Sequence, residues 1–422
     1  MSRDQRERVA VVGSGISGLT AAYVLQQRYD VTLYESASRL GGHTDTHDVL
    51  TPDAGTVPID TGFIVHNQRT YPLLRRLFSE LNVVTRPTEM SMSVHCEGCG
   101  LEYAGAKGVG GVFAQPSSLT SPAFLGLLAQ VRRFHRHARN FIDLGNDAIS
   151  LKEFLARGGY SDYFSQHFVV PLVSCVWSVA PGAALQYPAR YLFAFLENHG
   201  LLSVSGSPTW RTVVGGARTY VDLVAKDLSA IATSTPVRAV ITGAEGVEVR
   251  TDDDEGVVFD RVVMATHADT SLALLAHPSS LQRSVLSAFE YSRNDTWLHT
   301  DAALLPKARR ARAAWNFLLP SCSDVTEHVV VSYDMNRLQG LASARHHIVT
   351  LNATSRVDPD KIVARMTYEH PIYTKDSLSA QRQLSQLNDS RLAFAGAYHG
   401  WGFHEDGCRS GITAAESLGV RW

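Results

Sequence analysis

Three observations in the first 35 residues predict an α/β fold with a Rossmann-like unit at its start. Residues 9–12 form a short apolar run that is typical of a buried parallel strand. A glycine-rich turn follows at 13–18 and leads into an apolar helical segment that runs to about Arg28. A second strand, VTLYE, ends at Glu35. This succession of strand, turn, helix and strand is that of a dinucleotide-binding βαβ unit.

The turn carries the spacing G-x-G-x-x-G at Gly13, Gly15 and Gly18. The first glycine permits the tight turn, the second lets a pyrophosphate approach the backbone, and the third lets the helix pack on the strand. The helix N-terminus then directs free amides and the positive end of its dipole at the phosphates. Glu35 stands where a carboxylate accepts hydrogen bonds from both ribose hydroxyls, and its charge would repel a 2′-phosphate.

The segment after Glu35 distinguishes FAD from NAD. Arg39 and the pair Gly41–Gly42 follow closely, so the chain can pass near the pyrophosphate a second time with a positive charge available. In NAD-binding chains the second strand is usually followed by another crossover unit. Residues 57–67, VPIDTGFIVHN, instead predict a strand with a glycine turn. These features favour FAD.

Two later stretches are predicted to complete the nucleotide site. Residues 235–269 predict a strand, a small antiparallel meander and a strand that returns to the nucleotide sheet. Val237 would lie where backbone groups contact the adenine edge. The stretch 396–411, GAYHGWGFHEDGCRSG, is rich in glycine and runs into a helix, which indicates that its backbone also approaches a ligand closely.

These motifs resemble those of the FAD-dependent amine oxidase and phytoene desaturase superfamily. They are GSGISG at 13–18, Glu35 with Arg39 and Gly41–Gly42, the Asp60–Gly62 turn, DRVVMAT at 260–266 and the closing glycine-rich turn. Longer phrases, among them GGHTDT, WRTVVGGARTYV and GAYHGWGFHEDG, are similar to those of a bacterial flavoprotein family. That family also forms the N-terminal half of plant cyclopropane fatty acid synthases. The resemblance extends from about residue 8 to residue 420.

The resemblance implies a Rossmann-like (GR2-type) FAD-binding domain with a discontinuous α+β substrate domain, as in amine oxidases. Residues 1–85, 206–270 and 385–422 would form the FAD-binding domain. Residues 86–205, mainly helical, and 271–384, with the sheet over the flavin, would form the substrate domain. FAD would be bound without a covalent link by Gly13, Ser14, Gly15, Ile16, Ser17, Gly18, Glu35, Ser36, Arg39, Gly41, Gly42, His43, Thr61, Gly62, Phe63, Ile64, Val237, Thr266, Gly396, Ala397, Phe403, Glu405, Asp406 and Gly407.

One departure from the superfamily pattern concerns the ribityl chain of FAD. The C-terminal motif of the superfamily usually begins with Gly-Glu or Gly-Asp, whereas here the pair is Gly396-Ala397. We expect Glu405 and Asp406 to supply the missing carboxylate. The resemblance also implies that the final helix directs its N-terminus at N1 and the C2 carbonyl of the flavin, where backbone amides stabilise negative charge.

The candidate catalytic groups come from two parts of the chain. In the C-terminal stretch, His404 and Tyr398 could relay a proton, and Trp401 and Phe403 could form the pocket wall. In the substrate domain, polar groups stand in otherwise apolar surroundings, and for each of them a structural hydrogen bond is the competing interpretation. They are His299, Asn336 and His370.

Composition and cysteine usage narrow the remaining classes. A net charge of −2 and the absence of an RNA or DNA module argue against a nucleic acid partner. Cys96 and Cys99 form a CEGC, but a tetrahedral zinc site needs a second such pair, so we predict a hairpin turn and no metal site. The five cysteines are odd in number and scattered, and a signal peptide is not evident, which predicts a cytoplasmic protein.

Three further segments carry alternative interpretations. Residues 168–185 are uncharged but interrupted by prolines, which predicts a buried helix and turn beside a pocket. Residues 126–142 predict an amphipathic, arginine-rich helix, either a solvated surface helix or a peripheral contact with an anionic membrane. Tyr187, Tyr191 and Phe195 have helical spacing and would pack in the core or line a substrate channel. The sequence leaves the oligomeric state open.

The leading hypothesis is therefore an FAD-dependent oxidoreductase that acts by hydride transfer to flavin N5 on a small apolar substrate, such as an acyl lipid. A flavin amine oxidase is the alternative within this class, and it would need an aromatic cage such as Tyr398 facing Trp401. A non-catalytic flavoprotein that assists a lipid-modifying enzyme is the alternative from another class. An NAD-only dehydrogenase is the third, and the absorption spectrum of the purified protein would test it.

Overall fold

The computed structural model describes residues 6–145, 148–203, 206–252, 256–322, 328–353 and 355–422. The predicted domain boundary between residues 205 and 206 lies at the edge of a gap in these ranges. The strands within them are β1 Arg8–Val12, β2 Asp30–Tyr34, β3 Thr46–Thr51, β4 Gly55–Asp60, β5 His66–Asn67, β6 Thr85–Pro87, β7 Met92–Cys96, β8 Glu102–Gly105, β9 Trp210–Val213, β10 Ala230–Ala232, β11 Val237–Thr242, β12 Val247–Thr251, β13 Gly256–Phe259, β14 Arg261–Met264, β15 Glu290–His299, β16 Trp315–Leu319, β17 Val331–Asp334, β18 Ile348–Leu351, β19 Ile362–Ile372 and β20 Leu392–Phe394.

Helices connect and cover these strands. The α-helices are α1 Ile16–Leu25, α2 Pro72–Glu80, α3 Gly108–Val112, α4 Pro122–Asp143, α5 Leu151–Arg157, α6 Asp162–Phe164, α7 Val170–Trp177, α8 Pro181–Gln186, α9 Ala189–Asn198, α10 Arg218–Ala225, α11 Ala268–Leu274, α12 Ser280–Leu286, α13 Met335–Leu338, α14 Lys375–Gln381 and α15 His404–Ser417. A π-helical turn, Ser165–Val169, joins α6 to α7.

A five-stranded parallel sheet is assembled from three distant parts of the chain. Its order is β10-β2-β1-β14-β20, so the returning strand β14 lies directly beside β1, as predicted. The apolar side chains of β1 and β14 are almost completely buried, as expected for a parallel sheet that is covered on both faces. The order places the C-terminal end of β1 in the middle of the sheet edge that carries the glycine turn.

A seven-stranded mixed sheet forms the second layer. Its order is β19-β15-β18-β17-β16-β7-β8, and only the β16–β7 pair within it is parallel. The predicted strands in HVVVSYDMN and HHIVTLNAT are β17 and β18; residue 354, at the end of the second, lies outside the described ranges. Helices α4 to α9 bury their apolar residues against one end of this sheet.

Helices α1 and α15 pack closely because glycines face the contact. A Cβ on Gly407 would lie 2.6 Å from Cγ2 of Ile16, and a Cβ on Gly411 would lie 2.3 Å from the carbonyl oxygen of Ser17. Any larger residue would therefore push the helices apart. This contact places the start of α15 beside the start of α1 and the glycine turn.

A buried aspartate ties the β3–β4 hairpin to the start of α10 and the end of α13. The Asp60 carboxylate accepts hydrogen bonds from the Thr46 hydroxyl (2.6 Å), the Ala217 amide (2.9 Å) and the Gln339 side-chain amide (2.9 Å). Its burial is complete, and burial raises its pKa to about 7. The hairpin is thus held between α10 and α13, with the following turn at Thr61–Ile64 directed at the interior.

The helical region confirms one prediction and corrects another. Residues 168–185 form helices and a turn, as expected, and no helix in the described part of the chain is long and apolar enough to cross a membrane. Tyr187, however, lies at the end of α8, whereas Tyr191 and Phe195 belong to α9. Pro188 begins a new helix between them, so the three rings do not form one stripe. Tyr187 is a fully buried core residue.

Candidate active site

The glycine turn after β1 has the geometry of a phosphate cradle. Gly13 has a φ of +102°, which glycine alone adopts without strain. A Cβ on Gly18 would lie 1.9 Å from the Gly13 carbonyl oxygen, so α1 reaches its position only with glycine there. A Cβ on Gly15 would meet no atom of the described chain within 4 Å. Gly15 is the N-cap of α1 and therefore borders open space where a pyrophosphate fits.

Glu35 organises this turn from the end of β2. One carboxylate oxygen accepts hydrogen bonds from the backbone amide (3.0 Å) and the hydroxyl (2.5 Å) of Ser14. The other oxygen accepts from the Ala37 amide (2.8 Å) and from the hydroxyl of Ser36 (3.2 Å). The predicted ribose ligand is therefore also the group that fixes the phosphate-binding turn.

The second glycine pair closes on the same turn. The Gly41 amide donates to Ser14 Oγ (3.1 Å), and a Cβ on Gly42 would lie 3.0 Å from the Gly15 Cα. Arg39 was expected to face the pyrophosphate, but its guanidinium contacts the Asp45 carboxylate (3.0 Å) and the Thr44 carbonyl (3.1 Å). Its charge is thus balanced by a carboxylate rather than held free for a phosphate.

Val237 and Thr266 border the same end of the sheet. The Thr235 amide donates to the Glu35 carbonyl (2.9 Å), which brings the start of β11 alongside the end of β2. Val237 is buried there. The methyl group of Thr266 would lie 3.3 Å from a Cβ on Gly13, and its hydroxyl is hydrogen-bonded to Ser271 (2.8 Å). Both predicted residues are therefore near the glycine turn.

His404 is the first residue of α15 and lies against the turn after β4. Its ring stacks on the Phe63 ring at 3.7 Å between centroids, and its Nε2 is 2.9 Å from Thr44 Oγ1. Burial, with a smaller contribution from His43, lowers the pKa of His404 well below its ordinary value. His404 is therefore a neutral imidazole held in a fixed orientation.

Glu405 and Asp406 are bound by the protein backbone, which argues against the role predicted for them at the ribityl chain. The Glu405 carboxylate accepts hydrogen bonds from the amides of Leu73 (3.1 Å) and Leu74 (3.0 Å) at the N-terminus of α2. Asp406 accepts from the Phe403 amide (3.1 Å), as in a capping box, and burial raises its pKa to about 6. Both acids hold helix ends in place.

Tyr398 and Trp401 occupy separate clusters, so they do not form the expected aromatic cage. The Tyr398 ring packs on Phe289, 5.0 Å away, in the core behind the parallel sheet. The Trp401 ring packs near Phe195 at 5.8 Å, and its carbonyl accepts a hydrogen bond from the indole of Trp177 (3.1 Å). Neither ring borders the main cavity, whereas the following residues Gly402, Phe403 and His404 do.

Gly396 and Ala397 begin this C-terminal segment and are bonded to its other end. The Gly396 amide donates to Ser410 Oγ in α15 (2.9 Å), and the Ala397 carbonyl accepts from the Gly402 amide (3.2 Å). These bonds hold the segment that carries Ala397 against α15. Gly407 serves the packing of α15 on α1, as described above.

His43, Tyr368 and His370 form a cluster that borders the same cavity as His404. The His43 ring meets Tyr368 edge-on at 4.7 Å and His370 at 5.0 Å. Burial lowers the pKa of His43 to about 4 and that of His370 well below its ordinary value. The Tyr368 hydroxyl donates to Asp45 (2.9 Å) and lies 2.7 Å from the hydroxyl of Thr61. These groups form a neutral polar patch within an apolar wall.

His299 and Asn336 make hydrogen bonds within the protein, which favours the structural interpretation over a catalytic role. His299 is fully buried, with Nε2 2.7 Å from Thr350 Oγ1 and Nδ1 accepting from the Asp301 amide. Asn336 donates to the carbonyls of Ser343 and Arg345 and accepts from an amide in the same loop. Neither side chain borders the main cavity, whereas His370 does.

The main cavity has a volume of about 850 Å³ and extends from these histidines into the helical region. Its apolar walls come from the seven-stranded mixed sheet and from α4, α7 and α9. They include Met92, Leu128, Leu172, Phe195 and Leu351. Among the described residues, none of those that line it is Asp, Glu or Lys, and Arg132 is the one arginine. Arg132 is exposed, so its charge lies at the entrance.

Three residues of the site were missed from the sequence, namely Thr44, Asp45 and Tyr368. Thr44 and Asp45 stand in the GGHTDT phrase, directly after the predicted His43, and a wider reading of that phrase would have included them. Tyr368 stands two residues before His370 on β19, so both side chains point to the same face of the sheet. That alternation is the signal that could have found it.

Fold and site together define the class of FAD-dependent oxidoreductases. Within that class, the chain belongs to the family of flavin containing amine oxidoreductases, whose family model matches residues 16–296. The predicted superfamily is therefore confirmed, and the cofactor is FAD. The residues that would hold it are those of the glycine turn, Glu35 and the Gly41–Gly42 loop, since Gly15 leaves open space beside them.

A curated relative and several solved structures are similar to this chain. Carotenoid phi-ring synthase from Streptomyces griseus is 29% identical over 283 residues, which are 64% of this chain and 54% of that protein. The chain thus spans about half the length of that relative.

The solved structures share the fold over nearly the whole chain. Cyclohexylamine oxidase from Brevibacterium oxydans has 15% identity and a TM-score of 0.69, with 98% of both chains covered. Putrescine oxidase bound to putrescine has 16% identity and a TM-score of 0.65, covering 98% of this chain and 99% of its own. The CLA-producing fatty acid isomerase from P. acnes has 15% identity and a TM-score of 0.66, covering 97% and 98%. These likenesses confirm the amine-oxidase-like fold.

Proposed function

We propose that the protein is an FAD-dependent oxidoreductase that acts on an apolar acyl substrate, either by dehydrogenation or by a shift of a double bond. FAD, when bound, supplies the hydride acceptor at N5. The observation that carries this proposal is the cavity of about 850 Å³, which is apolar along its walls and has, among the described lining residues, a single arginine at its entrance. Its volume lies in the range of sites for drug-sized ligands, and the flavin ring would take the part lined by Thr61, Gly62 and Phe63.

The charge pattern of the cavity favours an anionic end on the substrate. A carboxylate or phosphate head group could pair with Arg132 at the entrance while the chain lies along Leu128, Leu172 and Phe195. A cationic substrate would find no carboxylate among the described lining residues. Each methylene buried along these walls would contribute about 0.8 kcal/mol to binding. An acyl chain with an acidic head group therefore fits best.

The neutral histidines supply the polar end of the cavity. His43, His370 and His404 border it with their pKa values held low by burial, so at neutral pH each is an uncharged imidazole that can exchange hydrogen bonds with a bound group. Tyr368 and Thr44 fix the rings of His43 and His404 through the contacts described above. Phe63 and Phe403 close the space around them and exclude water.

The relatives are compatible with this substrate class. One is named for a carotenoid ring and another for a fatty acid, both of which are long apolar molecules. The motif resemblance to the flavoprotein family found in plant cyclopropane fatty acid synthases points the same way. An amine substrate is less well supported, because Tyr398 and Trp401 lie in separate clusters.

The test is anaerobic reduction of the purified, FAD-loaded protein. We expect fatty acids to bleach the flavin absorption or to emerge with a shifted double bond in product analysis. In a parallel aerobic assay, in which oxygen reoxidises the flavin, hydrogen peroxide produced with amines alone would instead support an amine oxidase. If lipids, amines and nicotinamides all leave both flavin and substrate unchanged, the protein would be a non-catalytic partner and the proposal would fail.

The entrance arginine gives a sharper form of this test. Arg132→Ala should raise KM for a fatty acid at least tenfold and leave kcat nearly unchanged, because the pair with the head group is the same in substrate and transition state. Arg136→Ala is the matched control, since Arg136 is exposed on the same helix but does not border the cavity. Equal effects of the two variants would contradict a specific role of Arg132.

We also propose a peripheral membrane contact around the entrance. Val109, Leu119 and Leu125 are large apolar residues exposed near the entrance, in α3, in the turn before α4 and in α4 itself. Arg132 and Arg136 follow on α4. Such a surface suits an anionic bilayer from which a lipid could enter. We expect the protein to sediment with anionic vesicles but not with zwitterionic ones. Failure to sediment with either kind of vesicle would overturn this proposal.

A further inference from the structure

Outside the cavity, the structure gathers four side chains with the chemistry of a metal site. The Sγ atoms of Cys96 and Cys322 lie 3.6 Å apart, and Cys99 Sγ lies 3.6 Å from His167 Nε2. All four donor atoms lie within 4.8 Å of one another. Ligands of a tetrahedral zinc ion, at about 2.3 Å for sulfur and 2.0 Å for nitrogen, stand about 3.5–3.8 Å apart. We infer that these residues form a Cys₃His zinc site.

The expectation of no metal site rested on the lack of a second cysteine pair. The CEGC does form the predicted hairpin turn between β7 and β8. The remaining ligands come instead from the π-helical turn that carries His167 and from Cys322, just after β16. Because these two residues are separated in the sequence, their spacing gives no metal-binding signature.

The CEGC turn is shaped to present both of its sulfurs. The Cys99 amide hydrogen-bonds to Cys96 Sγ, and the Leu101 amide hydrogen-bonds to Cys99 Sγ. Such amide donors stabilise the thiolates that bind metals. Gly98 lets the segment that carries Cys322, the third cysteine, approach the turn. A Cβ on residue 98 would lie 2.9 Å from the Cys322 amide nitrogen. The turn and the Cys322 segment therefore meet only because residue 98 is glycine.

His167 is oriented as a metal ligand usually is. Its ring is fully buried, and its Nδ1 lies 3.0 Å from the Tyr163 carbonyl oxygen, to which it donates. The lone pair of Nε2 is thereby left for the cluster, in the arrangement that second-shell carbonyls give to zinc-bound histidines. Glu97, within the CEGC, pairs with Arg356 (2.9 Å) and is not a competing ligand.

Metal binding would tie the π-helical turn to the CEGC turn and to the segment after β16, whose strands are already paired in the sheet. One Zn²⁺ replaces the protons of three thiols, releases them to solvent and leaves one net negative charge on the site. The Tyr103 hydroxyl donates to the His167 carbonyl (2.6 Å), and Tyr103 and Phe168 both line the cavity. The site would therefore fix one wall of the cavity and has a structural rather than catalytic role.

The test is metal analysis of the full-length, flavin-containing protein, purified without a histidine tag and under reducing conditions. We expect one zinc per chain, released by a strong chelator with a fall in thermal stability and restored by added Zn²⁺. Cys99→Ser should weaken zinc binding by at least roughly tenfold, since the loss of even a second-shell partner costs that much. Cys99 is exposed, so this variant should still fold.

Two comparisons make the outcome decisive. Cys175→Ala removes a buried cysteine outside the cluster and should retain the full zinc content. Replacement of zinc by Co²⁺ in the wild-type chain should give tetrahedral thiolate absorption in the red, beyond the flavin bands, without any mutation. Wild-type protein that holds no zinc after Zn²⁺ is added, that holds iron instead, or that shows a Cys96–Cys322 disulfide in peptide mapping under reducing conditions would overturn the inference.

Discussion

At the scale of single residues, the site separates side chains that face the cavity from those that only support the fold. His404 and Tyr398 stand six positions apart in one segment, yet His404 borders the cavity and Tyr398 packs behind the parallel sheet. The difference follows from α15, which begins at His404 and directs its first residue at Phe63. Substitution of His404 is therefore expected to affect the cavity, whereas substitution of Tyr398 affects only the core behind the sheet.

We predict that His404→Asn lowers turnover and leaves FAD content unchanged. Loss of a positioned acid–base group typically costs about 10²-fold in rate. FAD content, measured by absorption after denaturation, and kcat with the best substrate should be determined separately. Tyr398→Phe is the matched control and should change neither quantity, because its ring lies outside the cavity. A loss of FAD in His404→Asn would assign this residue to the flavin instead of the substrate.

Glu405 allows a test between the role expected from sequence and the role seen in the structure. Its carboxylate accepts two backbone amides at the start of α2. Glu405→Gln weakens one of these bonds and should lower the free energy of unfolding by about 1–2 kcal/mol. The dissociation constant of FAD should stay within about twofold of the wild-type value, which is a difference of only about 0.4 kcal/mol. Weaker FAD binding at unchanged stability would restore the ribityl role.

At the scale of elements, the β1–turn–α1 unit depends on two glycines for different reasons. A Cβ on Gly18 would collide with the Gly13 carbonyl at 1.9 Å, whereas a Cβ on Gly15 would meet nothing in the described chain. One glycine therefore serves the packing of the helix, and the other serves the ligand. The motif G-x-G-x-x-G shows glycine at both positions and does not distinguish these two roles.

We predict opposite outcomes for Gly15→Ala and Gly18→Ala. Gly18→Ala should destabilise the FAD-free protein by about 1–3 kcal/mol, as overpacking does, because α1 must move. Gly15→Ala should leave the FAD-free protein as stable as the wild type but weaken FAD binding, because the methyl group enters the phosphate space. Thermal unfolding without FAD and titration with FAD measure the two effects. An unstable Gly15→Ala protein would show that the space is not reserved for a ligand.

The same distinction explains how much of the molecule could be predicted from the sequence. Local apolar patterns and short motifs predict the β1–α1–β2 unit, the returning strand β14, and the strands β17 and β18 of the seven-stranded sheet. They do not predict the roles of Arg39, Glu405 and Asp406, because each depends on a partner that the motif does not indicate, nearby in sequence for Arg39 and Asp406 and distant for Glu405. Arg39 is paired by Asp45, and Glu405 binds the start of α2.

At the scale of the whole molecule, the cavity could not be predicted from local sequence patterns. Its lining joins His43, Arg132, Phe195 and His370, which come from four separate regions of the chain. The proposed zinc site is similar, because its ligands span positions 96 to 322. Individual residues in these sets were noted from the sequence, but their grouping depends on how the two sheets and the helices pack together.

Burial of neutral histidines is a further property of the whole molecule, and it links stability to pH. Burial lowers the pKa of six of them to about 4, against an ordinary value of 6.5: His43, His66, His135, His199, His299 and His399. Below pH 6.5 the unfolded chain binds protons at these positions and the folded chain does not. Their stabilising contribution is therefore complete above pH 6.5 and is lost as the pH falls toward 4.

We predict that thermal stability falls steadily as the pH is lowered from 6.5 to 5. Each such histidine contributes about 1.4 kcal/mol per pH unit within its window, and Asp60 and Asp406, whose pKa values burial raises to about 7 and about 6, oppose only part of this. His66→Phe should reduce the slope, because neither ring nitrogen of His66 has a hydrogen-bond partner among the described residues. Melting curves across this range measure the effect. Stability that is constant or rises on acidification would show that the buried carboxyls outweigh the histidines.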